Sequence, residues 1–312
     1  RGDSLEGGLS NLLSDAMEQI EDFFRAGLST ALKLIAVVLL CSLAQSARAG
    51  EEDGLQAVTI AGVLAVSALT LTDMTAMIGL GRDTLGRMES FSQLLLPVMA
   101  VLTAATGGVT GAAVRQSATV LFSQLLLTAI DRLLVPLVYA FAAASSAYAA
   151  VGNPGLKKTA DLLKGAVTFV LTALLLAFVG YLTASGAIAG SVDAAAVKTA
   201  KMAISRAVPV VGGILADASE SVLAGAGALR STVGAAGLLV VLAICLTPFL
   251  RLALQYMVYK GAAALCATVA QPRLSGLIDA IGSAFGLVLG MTGAGALVML
   301  VSLVSAIGAV VS

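Results

Sequence analysis

VPVVGGILADASESVLAGAGALRSTVGAAG, residues 208–237, decides how the rest of the chain is read. It opens with Pro209 and the pair Gly212–Gly213. A short apolar helix follows, carrying two acids, Asp217 and Glu220, then a glycine–alanine run and Arg230. Long apolar runs flank the stretch on both sides. Backbone this rich in glycine and proline is tolerated at membrane depth only where it packs in protein or lines a cavity. Two readings stay open. One is a tight helix–helix contact made by small residues. The other is a re-entrant, broken helix at a transport site.

The surrounding chain has 312 residues, 59% hydrophobic and 12% charged, with a mean hydropathy of +1.00. Soluble domains carry about 25% charged residues. The composition therefore predicts an all-helical, polytopic membrane protein in contact with lipid. The formal net charge is zero, so nothing points to a nucleic-acid partner. Residues 1–90 hold twelve acids and six bases, and residues 91–312 hold six acids and twelve bases. An acidic beginning suits the outer side of a membrane, because Lys and Arg collect in cytoplasmic loops. Histidine is absent, which removes the commonest general base and metal ligand. Cys41, Cys245 and Cys266 are widely spaced in apolar runs and read as packing residues, not as a zinc or disulfide framework. The first residue is Arg, which suggests a mature or trimmed chain.

In chain order, residues 1–28 read as an acidic amphipathic helix outside the cytoplasm. Leu9, Leu12, Leu13, Met17, Ile20, Phe23 and Phe24 recur at helical spacing, with Asp15, Glu18, Glu21 and Asp22 mostly between them. Residues 29–312 read as one membrane domain. Apolar runs fall at 30–45 and 55–71, and Asp73 reads as a cap or interfacial residue. Residues 81–92 read as a separate surface helix. The adjacent Asp131–Arg132 reads as a helix end, since a central charge costs about 2.5–3.5 kcal/mol on insertion scales. Gly152–Asn153–Pro154–Gly155 and Gln271–Pro272–Arg273 read as turns. Lys157, Lys158, Asp161 and Lys164 read as a basic surface segment before a span at 167–188. Residues 234–250, a half-polar segment at 251–269 and a glycine-rich span at 281–311 complete the chain. Basic segments at 157–164 and 198–206 flank one apparent span, so charge alone does not fix the topology.

One unit is expected to occur twice, at about 71–178 and 182–298. Pro97 aligns with Pro209 and Pro136 with Pro248, both at an offset of 112. Val138–Tyr139 aligns with Val258–Tyr259, Asn153–Pro154 with Gln271–Pro272, and Asp161 with Asp279. Gly107, Gly108 and Arg115 stand where the second copy has its glycine run and Arg230. Duplicated halves with Gly/Pro-interrupted helices are the usual pointer to a transporter-like site between them. Chance matching in Ala/Leu/Gly-rich sequence is the competing account. Asp217 and Glu220, three apart, share a helix face. With Arg230 they form either a structural ion pair or an acidic lining for cations or protons. Phosphate-binding loop, nucleophile elbow and HExxH motifs are all missing from the sequence, so no enzyme and no cofactor are predicted.

Residues 208–223, together with the run ALRSTVGAAGLLVVLAICLTPFLRLALQYMVYKGAAAL, resemble the signature of the stage III sporulation protein AE family. Pro209, Val210, Val211, Gly212, Gly213, Asp217, Pro248, Tyr259 and Lys260 carry the likeness in order. Glu220 stands where the family commonly has Asp, and Arg230 where it often has Lys. The resemblance implies a subunit of a channel or secretion-like complex in the mother-cell membrane around the forespore. It also implies partners: the other proteins of the stage III sporulation A operon, among them a separate ATPase, and stage II sporulation protein Q. A homo-oligomer is compatible with it. A self-sufficient permease for a small solute and a membrane scaffold without transport are the alternatives.

Overall fold

The computed structural model describes residues 2–47, 52–105, 121–184, 232–269 and 271–311. Apart from two tight turns, these residues are helical. The helices are α1 (Gly2–Ala47), α2 (Glu52–Ala105), α3 (Leu121–Val151), α4 (Pro154–Ala184), α5 (Thr232–Cys266) and α6 (Pro272–Val311). Each contains a segment long and apolar enough to cross a membrane: Glu21–Ala47, Gly54–Phe91, Leu121–Val151, Pro154–Tyr181, Val240–Cys266 and Pro272–Leu300. Such segments become helices because hydrocarbon offers no partner to backbone N–H and C=O groups, so the chain must satisfy them internally.

Both expected turns are present. Gly152 closes α3 in the left-handed region, φ +76°, and donates its N–H to the Tyr148 carbonyl at 2.7 Å. A side chain is strained there, so glycine is the fitting residue. The Asn153 side-chain oxygen accepts the Gly155 N–H at 2.8 Å and caps α4. Pro154 starts α4 and Pro272 starts α6, the helix position where a missing N–H is harmless.

Four contacts gather the connections at one end of the bundle, here called the turn end. The Ser42 hydroxyl donates to the Val269 carbonyl at 2.9 Å. Gln45 donates to the Thr59 hydroxyl at 3.1 Å. Thr59 in turn donates to the Gln271 side-chain oxygen at 3.2 Å. A Cβ built on Gly152 would overlap the Arg273 guanidinium. The six described helices therefore alternate in direction, and the start of α1 and the end of α6 lie away from the turn end.

α6 is the axis. It packs against α5, α2, α3 and α4, and every residue from 281 to 295 is buried. Small residues permit this: a Cβ on Gly282 would lie 3.1 Å from the Tyr259 Cβ, and one on Gly295 would overlap Leu85. Close backbone approach through small residues is how membrane helices gain van der Waals contact.

Several expectations are corrected. α1 runs through residue 28 without a break, so the amphipathic start and the first span are one helix. Residues 81–92 continue α2 and are no separate surface helix. α2 also passes through Pro97, so the interruption expected there is absent. A membrane helix tolerates one lost hydrogen bond where neighbouring groups re-satisfy the freed backbone. Asp73 is not a helix cap; it lies inside α2, midway along the apolar segment from Gly54 to Phe91. Asp131–Arg132 is not a helix end but part of a π-helical turn, Ile130–Leu134, inside α3. That widened turn lies just before Pro136, whose ring would clash with the carbonyl four residues earlier in a regular helix. Lys157 to Lys164 are the first turns of the α4 span, and residues 251–266 continue α5 through Pro248.

A polar cluster at membrane depth

Arg251, Gln255 and Tyr259 recur every four residues along α5, so they share one face. Gln255 Nε2 donates to Asp73 Oδ2 at 3.0 Å. Tyr259 Oη donates to the same oxygen at 2.9 Å. Asp73 Oδ1 receives no donor among the described residues. At about 1.5 Å per residue, roughly 21 Å of helix separates Asp73 from Thr59 at the turn end. The carboxylate thus sits inside the span, half-buried between α2 and α5.

Tyr259 is held from behind. It is fully buried, and its ring meets Phe285 of α6 edge-on with centroids 4.8 Å apart, a favoured aromatic geometry. Arg251 stacks over the Phe23 ring of α1 at 5.1 Å. α5 therefore links α1, α2 and α6 through one polar stripe. Burial of Asp73 without donors would be costly, and two hydrogen bonds to the charged form offset part of that.

Nearer the turn end lies a second group. Lys260 Nζ bonds Asp279 Oδ1 at 2.7 Å and the Ser283 hydroxyl at 2.9 Å. Lys164 of α4 reaches the same hydroxyl at 3.4 Å. At the other end, Arg82 of α2 pairs with Asp131 of the π-helical turn at 2.8 Å. Both are about half exposed, so this pair alone adds little stability. Charges thus mark three levels of one bundle. An ionisable residue inside a membrane span is a functional candidate by default, because hydrocarbon selects against it.

Of the residues singled out in the sequence, Pro97 lies within the helical backbone of α2. Gly107, Gly108, Arg115, Pro209, Gly212, Gly213, Asp217, Glu220 and Arg230 lie outside the described residues. Asp73, Gln255 and Tyr259 were missed as a site. Their partners stand 182 and 186 residues apart in sequence. The available signal was the four-residue spacing on α5, together with an acid at the centre of an otherwise apolar segment.

These features define a class: a multi-pass helical membrane protein with hydrogen-bonded charges inside its spans. The chain belongs to the stage III sporulation protein AE family, whose sequence profile matches residues 3–310. The family ties the chain to sporulation. A relative from Bacillus subtilis (strain 168), named Stage III sporulation protein AE, is 26% identical over 197 residues. That alignment covers 63% of this chain and 49% of the relative, so the match spans about half of the relative's length. No solved structure matches the chain.

Proposed function

We propose that the chain is the multi-pass membrane subunit of a channel or secretion-like complex joining mother cell and forespore. It sits in the mother-cell membrane around the forespore. Its partners are the other stage III sporulation A-operon proteins, including a separate ATPase, and stage II sporulation protein Q. The chain performs no catalysis itself. The observation that carries this reading is the family match over 3–310 on a fold of six membrane-capable helices. The Asp73 cluster supports it, since polar groups at membrane depth belong in protein-lined paths and packed interfaces.

The test has two arms. In a spore-forming host, loss of the chain arrests forespore development after engulfment, and Asp73→Asn lowers spore yield at normal protein level. In liposomes, the purified chain alone conducts no solute. Saturable flux by the chain alone would instead make it a self-sufficient permease. Full spore yield from Asp73→Asn, and from Asp217→Asn combined with Glu220→Gln, would leave only a scaffold.

A further inference from the structure

α4 and α5 flank α6 near the turn end, and one lysine from each converges on it, beside Asp279 of α6. Ser283 is buried on α6 at 4% exposure. Its hydroxyl takes both Lys260 at 2.9 Å and Lys164 at 3.4 Å. The two ammonium groups are therefore at most the sum of those distances apart. One carboxylate, Asp279, serves Lys260 at 2.7 Å. Lys164 has no carboxylate partner among the described residues.

Lys164 is not a stray surface lysine. It shares its helix face with Ala160, Val167, Leu171 and Leu175, all buried, while Leu162 and Phe169 on other faces are exposed. α4 thus aims an uncompensated cation inward. Two cations against one carboxylate leave positive charge in a setting of low dielectric, where it demands a counter-anion. The group opens outward as well: Asp279 is 53% exposed, and a Cβ on Gly276, one turn before it, would meet only open space. Above it, at the helix ends, Lys157, Lys158 and Arg273 are exposed. Asp161, one turn before Lys164, is exposed too and makes no ion pair among the described residues.

We infer that this groove binds the phosphate group of an anionic phospholipid. The acyl chains lie along the exposed apolar face of α4, and the phosphate sits between Lys164 and Lys260. Basic pockets between membrane helices hold anionic headgroups in this way. Lys164 suits the role, because a helical side chain leans toward its own N-terminus, which for α4 is the turn end and the headgroup layer.

The test uses the full chain purified in detergent, with bound lipid counted by native mass spectrometry and the thermal midpoint followed in parallel. Phosphatidylglycerol, phosphatidylcholine and inorganic phosphate are added separately. Phosphatidylglycerol is expected to bind at a discrete site and raise the midpoint, with phosphatidylcholine much weaker. Lys164→Gln, which leaves the Lys260–Asp279 pair in place, weakens phosphatidylglycerol binding about fivefold. Lys157→Gln combined with Lys158→Gln has a smaller effect. Equal binding by wild type and Lys164→Gln overturns the proposal. So does stabilisation by inorganic phosphate equal to that by phosphatidylglycerol, which would assign the groove to a free anion. A wild-type dimer that Lys164→Gln dissociates also overturns it, since a second copy would then cover the groove.

Discussion

Tyr259 ties three helices together. It donates to Asp73 of α2, packs its ring on Phe285 of α6 and belongs to α5. Removing only its hydroxyl separates the polar role from the packing role. Tyr259→Phe is expected to lower stability by about 1 kcal/mol, the net value of one such hydrogen bond. Asp73 keeps Gln255 as a donor, so the loss stays modest. Denaturation in detergent micelles checks this, and an unchanged stability would show that the bond contributes nothing. Gly152 makes the second prediction at this scale. Its φ of +76° costs a non-glycine residue about 1–2 kcal/mol. Gly152→Ala should reduce stability by that amount. The nearby Arg273 side chain is exposed and can swing aside, so backbone strain and not the guanidinium sets the loss.

Among the elements, α6 shows how packing decides what a glycine is for. A Cβ at position 282 would lie 3.1 Å from the Tyr259 Cβ and 3.4 Å from the Lys260 backbone nitrogen, and neither can rotate away. Gly282→Val therefore forces α5 and α6 apart and is expected to cost about 1–3 kcal/mol. Gly261 on α5 has open space where a Cβ would go. Gly261→Ala is expected to be neutral or stabilising by up to about 1 kcal/mol, the helix-propensity gain. Thermal midpoints of the two variants should move in opposite directions or differ clearly in size. The same elements show what was legible beforehand. The turns at 152–155 and 271–273 were readable, because Gly, Asn and Pro have fixed backbone preferences there. The glycine-rich last span was readable for its small residues. The lengths of the helices were not. A charged residue inside an apolar run marks an end if unpartnered and an interior position if partnered. Asp73 and Asp131 have partners that the local sequence does not reveal: Tyr259 and Gln255 for one, Arg82 for the other. Pro97 and Pro248 likewise mark breaks only where the freed carbonyl lacks compensation, which composition cannot show.

At the scale of the whole molecule, the alternation of the six described helices fixes which of their ends share a side of the membrane. Membership of the membrane class followed from composition alone. Orientation did not, because basic segments at 157–164 and 198–206 flank the apparent span at 167–188. Contacts among Ser42, Thr59, Val269 and Gln271 now bring the α1–α2 and α5–α6 connections to one end, and Gly152 with Arg273 brings the α3–α4 turn there too. The matched residues of the expected repeat, Asn153–Pro154 and Gln271–Pro272, both open the second helix of an antiparallel hairpin at this end. The most direct test of the account is cysteine labelling with a membrane-impermeant reagent in intact cells and in inverted vesicles. Cys41, Cys245 and Cys266 are first replaced, then Lys157→Cys, Arg273→Cys and Asp3→Cys are introduced singly. The account predicts that positions 157 and 273 react from the same side and position 3 from the opposite one. Labelling of 157 and 273 from opposite sides, or of 3 and 157 from the same side, would contradict it.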